Sequence, residues 1–229
     1  MHLSYMPLWQ KKLNIHGPFV LPCWMTNPLH ALLSEHRVLF MHTPQDLPED
    51  IGAAIINEIA VFNKVKTLMY SQCEGGVAVI KRLMEQLHKV EDLASIDIRL
   101  SKDFNRFADS VKAIEKAPLY INDKPLSTEE LLDDINCVMT DTANEKKTYR
   151  IVIVEDLLSL KWITREGAVV GKMAQSLSES LKQIAVEHNI SIVVMSRKPL
   201  RDSFPAKAIQ KAFVTIEGKE HMVETILTD

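Results

Sequence analysis

The residues able to do chemistry sit where short apolar runs end. Glu155 and Asp156 follow the β-branched run Ile151-Val-Ile-Val154, and Glu74 closes Ser71-Gln-Cys-Glu74 after the run Lys66–Tyr70. Acids in such places hold Mg²⁺ or move protons. Arg197, Lys198 and Arg201 follow Ile190–Met195, at the end of a strand where open α/β sheets commonly bind ligands. They are candidate contacts for nucleic acid or a partner, and Lys161, Arg165 and Lys172 invite the same reading. The plainer alternative is a charged loop that pairs with Glu155 or Asp156. A phosphate-binding loop needs the form G-x-x-x-x-G-K-[ST], in which backbone N–H groups and a Lys cradle phosphate and a hydroxyl holds Mg²⁺. After the run Arg37–Met41 the chain reads Thr43-Pro-Gln-Asp-Leu-Pro-Glu-Asp50. It has no Gly, no Lys and no correctly placed hydroxyl, and Asp46, Glu49 and Asp50 would repel phosphate.

Other chemistries find less support. Ser176, Ser178 and Ser180 have no His and Asp at a spacing that marks a triad. The eight His are scattered without an H-x-x-x-H pair, so a zinc enzyme is unsupported. Cys23, Cys73 and Cys137 lack C-x-x-C spacing and are expected to be free thiols in a reducing compartment. Cys73 reads as a buried, inert thiol. No metal and no cofactor is expected. The net charge of −3 argues against a general electrostatic grip on nucleic acid. The N-terminus has no long apolar signal region, and no stretch approaches the roughly 18 apolar residues of a membrane span. A cytoplasmic protein is expected.

The elements that must position these residues alternate. Residues 1–30 are interrupted by Pro7, Gly17, Pro18, Pro22 and Pro28, and read as an irregular arm packed on the core through Trp9 and Trp24. Residues 31–229 read as one domain. Ile51, Ile55, Ile56 and Ile59 recur at helical spacing and predict one apolar face. Helices are also predicted through Val77–Leu87, Phe104–Ile114 and Met173–His188. Leu119-Tyr-Ile121 is a short strand before the turn Asn122-Asp-Lys-Pro125. Ser127 with Glu130 forms a capping box, starting a helix that runs to about Cys137. Asp141–Lys147 reads as a charged loop. Ala212–Ile216 and His221–Leu227 flank Glu217-Gly-Lys-Glu220 as a hairpin. Strands alternating with helices predict an α/β fold, with a mostly parallel sheet covered on both faces and a closing antiparallel hairpin.

Three segments together resemble the C-terminal ATPase domain of the hexameric replicative DNA helicases of the DnaB type, a RecA-like, P-loop NTPase-like fold. They are Leu119-Tyr-Ile-Asn-Asp-Lys-Pro-Leu-Ser-Thr-Glu-Glu-Leu131, Ile151-Val-Ile-Val-Glu-Asp-Leu157 at the Walker B strand, and Ala174–Ser196. Their order and spacing carry the resemblance over roughly residues 17–229. The resemblance implies that the family's loop Gly, Lys and Thr fall at Leu47, Pro48 and Glu49, so that Walker A is degenerate. Asp46 would then cap the following helix, with Pro48 in its first turn and Glu49 and Asp50 at the positive end of its dipole. The Walker B acid falls at Glu155, with Asp156 beside it. The family's catalytic Glu is met one residue late by Glu74, and the Gln that would follow Ser196 is Arg197. The family's trans-acting Lys-x-Arg is expected to be missing.

The expectation is a catalytically inactive, RecA-like pseudo-ATPase. It would act as a protein-interaction scaffold, meeting a protein partner or itself, linked to DNA replication. A nucleic-acid-binding accessory that grips single strands through Arg197, Lys198 and Arg201 is the alternative. An ATP-dependent replicative helicase is a third reading.

Overall fold

The computed structural model describes residues 38–43, 50–72, 74–88, 101–144, 149–156, 170–197, 199–200, 204–205, 210–216 and 219–228. The N-terminal arm, Asp46–Glu49, Cys73, Lys161, Arg165, Lys198 and Arg201 lie outside these residues.

Seven strands form one sheet: β1 (Val38–His42), β2 (Thr67–Ser71), β3 (Leu119–Asn122), β4 (Ile151–Glu155), β5 (Ser191–Ser196), β6 (Gln210–Ile216) and β7 (Lys219–Thr228). Their spatial order is β3-β2-β4-β5-β1-β7-β6. The ladder from β3 through β1 is parallel, β7 runs antiparallel to β1, and β6 and β7 are the expected hairpin. The fold is thus α/β with a mostly parallel sheet.

Side chains alternate between the two faces of each strand. Leu39, Met41, Met69, Ile151, Ile153, Val193 and Met195 enter one core. Their neighbours Phe40, Leu68, Tyr70, Val152, Val154, Ile192 and Val194 enter the other. The strands β2, β4 and β5 are buried at every residue, which is why they read as continuous apolar runs.

The first core is closed by α1 (Ile51–Ile56) and α2 (Gly76–His88), and α3 (Ser101–Glu115) packs on α2. The second is closed by α4 (Thr128–Asn144) and α5 (Val170–His188). Every residue from Ile51 to Val61 is buried, so α1 has no solvent face. The small residues Gly52, Ala53, Ala54 and Ala60 let it lie close to the sheet: a Cβ on Gly52 would stand 3.3 Å from Met195 Sδ. From Asn57 to Phe62 the helix widens; the Asn63 N–H reaches back five residues to the Glu58 carbonyl at 3.0 Å.

The capping box forms as its residues dictate. The Glu130 N–H donates to Ser127 Oγ at 3.2 Å, and the Ser127 N–H donates to Glu130 Oε2 at 2.8 Å. The helix it starts does not stop near Cys137. It continues through Asp141 to Asn144, because Leu131, Ile135 and Met139 stay buried at four-residue spacing under the sheet. Its polar end therefore belongs to a helix, and Thr142 Oγ1 donates back to the Val138 carbonyl at 2.7 Å.

Candidate functional site

The parallel strands deliver their carboxyl ends to one edge of the sheet. There the chain leaves β1 at Thr43, β2 at Ser71, β4 at Glu155 and β5 at Ser196. Thr43 N–H donates to the Ser196 carbonyl at 2.8 Å, which holds the β1 exit over β5. Asp156 N–H donates to the Met195 carbonyl at 2.8 Å. That turn puts Asp156 at φ 58°, a left-handed conformation that Asp tolerates better than most residues.

The residue that caps α1 is Asp50, and not Asp46 as the resemblance implied. Its Oδ1 accepts the Ala53 N–H at 2.8 Å. This bond uses one carboxylate oxygen and leaves Oδ2 directed at the edge. There it meets Arg82 from α2, with Nη1 2.6 Å from Asp50 Oδ2. Arg82 Nη2 lies 2.8 Å from both Glu155 Oε1 and Oε2. Its Nε stands 2.9 Å from Glu74 Oε2. Those two atoms are misaligned for a hydrogen bond, so this third contact is one of charge.

Glu74 continues the chain of charge. Its Oε1 accepts from Arg197 Nη2. Arg197 Nε is 3.9 Å from Asp156 Oδ2, and the Arg197 backbone N–H donates to Asp156 Oδ1 at 3.2 Å. Four carboxylates and two guanidinium groups thus form one network, with a formal charge of −4 + 2 = −2. Ser71 Oγ donates to the Glu74 carbonyl at 2.7 Å and fixes the loop that carries Glu74.

Burial and charge oppose each other here. Burial pushes the Glu155 carboxyl above its ordinary pKa; Arg82 pulls it partly back, and the nearby Asp50 and Glu74 add to the rise. Burial also works against the charge of Arg82, but Glu155 and Asp50 outweigh it and hold the guanidinium firmly protonated. Arg197 is raised in the same way, burial being overcome by Glu74 and then Asp156.

The structure therefore brings together Asp50, Glu74, Glu155, Asp156 and Arg197 from four sequence segments. The plainer reading of Arg197 describes its geometry: it pairs with Asp156 and also with Glu74. Leu47, Pro48, Glu49, Lys198 and Arg201 lie outside the described residues. Arg82 is the residue that sequence reasoning missed. Its signal was modest: an Arg beside Leu83 and three residues after Val79, both fully buried, stands at the rim of an apolar stripe where a charge needs a partner. Glu74 and Glu155, read from the sequence as candidate Mg²⁺ ligands, both face Arg82. Among the described residues no three His, Cys, Asp or Glu side chains converge as metal ligands. The arrangement acts as an ionic clasp between α1, α2 and the ends of β2, β4 and β5.

A family model described as the DnaB-like helicase C terminal domain matches residues 50–201. Among solved structures, a DnaB-like replicative helicase described with its interactions with primase aligns at TM-score 0.58 and 17% identity, over 83% of this chain and 55% of that chain. This chain therefore spans about half the length of that helicase. A solved ATPase domain aligns at TM-score 0.55 and 18% identity, over 82% of this chain and 79% of its own length. At such identities the likeness is one of fold. A search of curated proteins finds no match. Among the described residues no helix is long and apolar enough to cross a membrane.

Proposed function

We propose, for a chain that belongs to the DnaB-like helicase C-terminal domain family, a role as a nucleotide-independent member of that family: a pseudo-ATPase whose RecA-like domain serves as a protein-docking scaffold in DNA replication. The observation that carries this reading is the placement of Arg82. A guanidinium bridges the N-cap of α1, at Asp50, to the end of β4, at Glu155. In a working domain of this fold that gap is where the phosphate loop and the Walker B acid hold a nucleotide and its Mg²⁺.

Three physical terms oppose a nucleotide there. An incoming triphosphate meets Asp50, Glu74, Glu155 and Asp156 at close range, and like charges in a half-buried site repel strongly. Mg²⁺ would have to displace Arg82 from Glu155. The segment Thr43–Asp50 offers no Lys and no Gly-rich backbone to offset either cost. The domain keeps its sheet and both cores, which supports reuse as a surface. The structure of a DnaB-like helicase described with its interactions with primase supports a replication protein as the partner, with self-association as the other protein-based form. The nucleic-acid reading loses weight because Arg197 is engaged by Glu74 and Asp156.

The test is titration of ATP–Mg²⁺ into the protein, followed by thermal unfolding and by phosphate release. No stabilisation at millimolar nucleotide and no hydrolysis are expected. An ATP-dependent rise in melting temperature that disappears in Glu155→Ala would overturn the proposal.

A further inference from the structure

Glu74 belongs to a loop whose own sequence does not fix its place. The loop Gln72-Cys-Glu-Gly-Gly76 joins β2 to α2, and its paired glycines leave the backbone free to take many conformations. Two bonds from a distant element select among them. The Leu126 N–H donates to Gln72 Oε1 at 3.1 Å, and the Gly76 N–H donates to Asp123 Oδ2 at 2.8 Å. Both ends of the Glu74 loop are thus gripped by residues 123–127, the β3–α4 loop. That loop is itself seated. Leu126 packs against the second core, and Asn122 Nδ2, just before it, donates to Asp134 Oδ2 on α4 at 3.1 Å. Its tip, Asp123–Pro125, is exposed.

Two features show that this grip holds the loop away from its own optimum. Arg82 Nε and Glu74 Oε2 are 2.9 Å apart yet misaligned. A loop free to move would turn the carboxylate into line, because an aligned charge-assisted bond is among the strongest available. Gln72 Nε2 is buried without a hydrogen-bond partner among the described residues, and an unpaired buried amide is costly. Letting go relieves both. Opposing release are the two backbone bonds and the contact of Glu74 Oε1 with Arg197 Nη2. Without Glu74, Arg82 keeps Asp50 and Glu155, and Arg197 keeps Asp156.

We propose that the β3–α4 loop is a latch on the ionic clasp. While it holds Gln72 and Gly76, Glu74 bridges Arg82 and Arg197 and the clasp is one unit. When it lets go, Glu74 turns onto Arg82 and Arg197 becomes the loose member. A load on the exposed tip at Asp123–Pro125 thereby changes the charge presented at the ends of β4 and β5. Gln72 and Asp123 act through Glu74 and are positioning residues. The latch goes beyond the pseudo-ATPase reading and does not rest on it, because it needs only the clasp.

The test is modification of arginine by phenylglyoxal, read residue by residue through peptide mapping, with exposed Arg150 as the internal reference. Gln72→Ala with Asp123→Ala opens the latch. Relative to Arg150, Arg197 is expected to react about tenfold faster than in the parent, as loss of one charge-assisted hydrogen bond allows, while Arg82 stays slow. Asp123→Asn keeps the acceptor oxygen and should leave the rate at Arg197 as in the parent. Glu74→Gln should also speed Arg197, and the latch substitutions added to it should bring no further increase, whereas a merely structural loosening would add. Should the double variant not fold by circular dichroism, Gln72→Ala alone keeps the Asp123 bond and is expected to shift Arg197 the same way by a smaller factor. An unchanged rate at Arg197, equal acceleration of Arg82 and Arg197, or additive effects with Glu74→Gln would overturn the proposal.

Discussion

Arg82 and Glu155 stand 73 positions apart in sequence and 2.8 Å apart in space. One guanidinium nitrogen bridges both oxygens of a carboxylate whose side chain is 11% exposed, while the other reaches Asp50. The pair joins helix α2 to strand β4 at the point where this fold otherwise places a ligand.

Removing one partner of a buried pair costs more than the pair itself contributes, because it strands the other charge. Arg82→Ala is therefore expected to lose roughly 3 kcal/mol of unfolding free energy, leaving Glu155, Glu74 and Asp50 crowded without a cation. Arg82→Lys should recover only part of this, since an ammonium lacks the planar fork that reaches three carboxylates. Urea unfolding at constant pH measures both. A loss for Arg82→Ala near 0.5 kcal/mol, about the size of an exposed pair, would show that the clasp is loose.

Glu58 lies buried in the widened turn after α1, where Asn63 Nδ2 donates to its Oε1 at 2.9 Å. Burial raises its pKa above the ordinary carboxylate value, and the Asn63 bond offsets part of the rise. A carboxyl raised on folding binds its proton more tightly in the folded state. Its contribution is fully present below the unfolded pKa and falls as pH rises through the folded one. Glu58→Gln keeps the acceptor and removes the charge. The variant should gain stability relative to the parent as pH rises from the acid range toward neutrality, and the gap should close at low pH. Urea midpoints across that range measure it, and a gap of opposite slope would contradict the assignment.

Asp123 closes the start of α2 from another element. Its Oδ2 accepts the Gly76 N–H at 2.8 Å, doing from the β3–α4 loop what a local N-cap does within a helix. Asp123→Ala should cost about 1 kcal/mol and speed exchange of the Gly76 amide. Asp123→Asn, which keeps the acceptor oxygen, should restore most of the loss. Unchanged exchange at Gly76 in the Ala variant would show that the bond is not formed in solution.

The parts of this protein readable from sequence were those whose causes are local or periodic. Ile151–Val154 and Ile190–Met195 are β-branched runs, and the strands there are buried on both faces. Ser127 and Glu130 reach each other because three residues separate them at a helix start. The order of these pieces was enough to indicate the α/β fold and the family, and Thr43–Asp50 is a sequence without Gly or Lys. Where α4 ends was not local: its last polar turn reads as loop, and buried contacts of Leu131, Ile135 and Met139 carry the helix past Cys137. The capping role of Asp50 was displaced to Asp46 in sequence, since both acids precede the same apolar run and only backbone geometry chooses between them. The clasp was decided by tertiary structure alone. Asp50, Glu74, Arg82, Glu155 and Arg197 are spread over five segments, and no spacing rule links them. They meet because parallel strands deliver all their carboxyl ends to one edge, and because a charge at the rim of a buried helix face must find its countercharge there or remain in water.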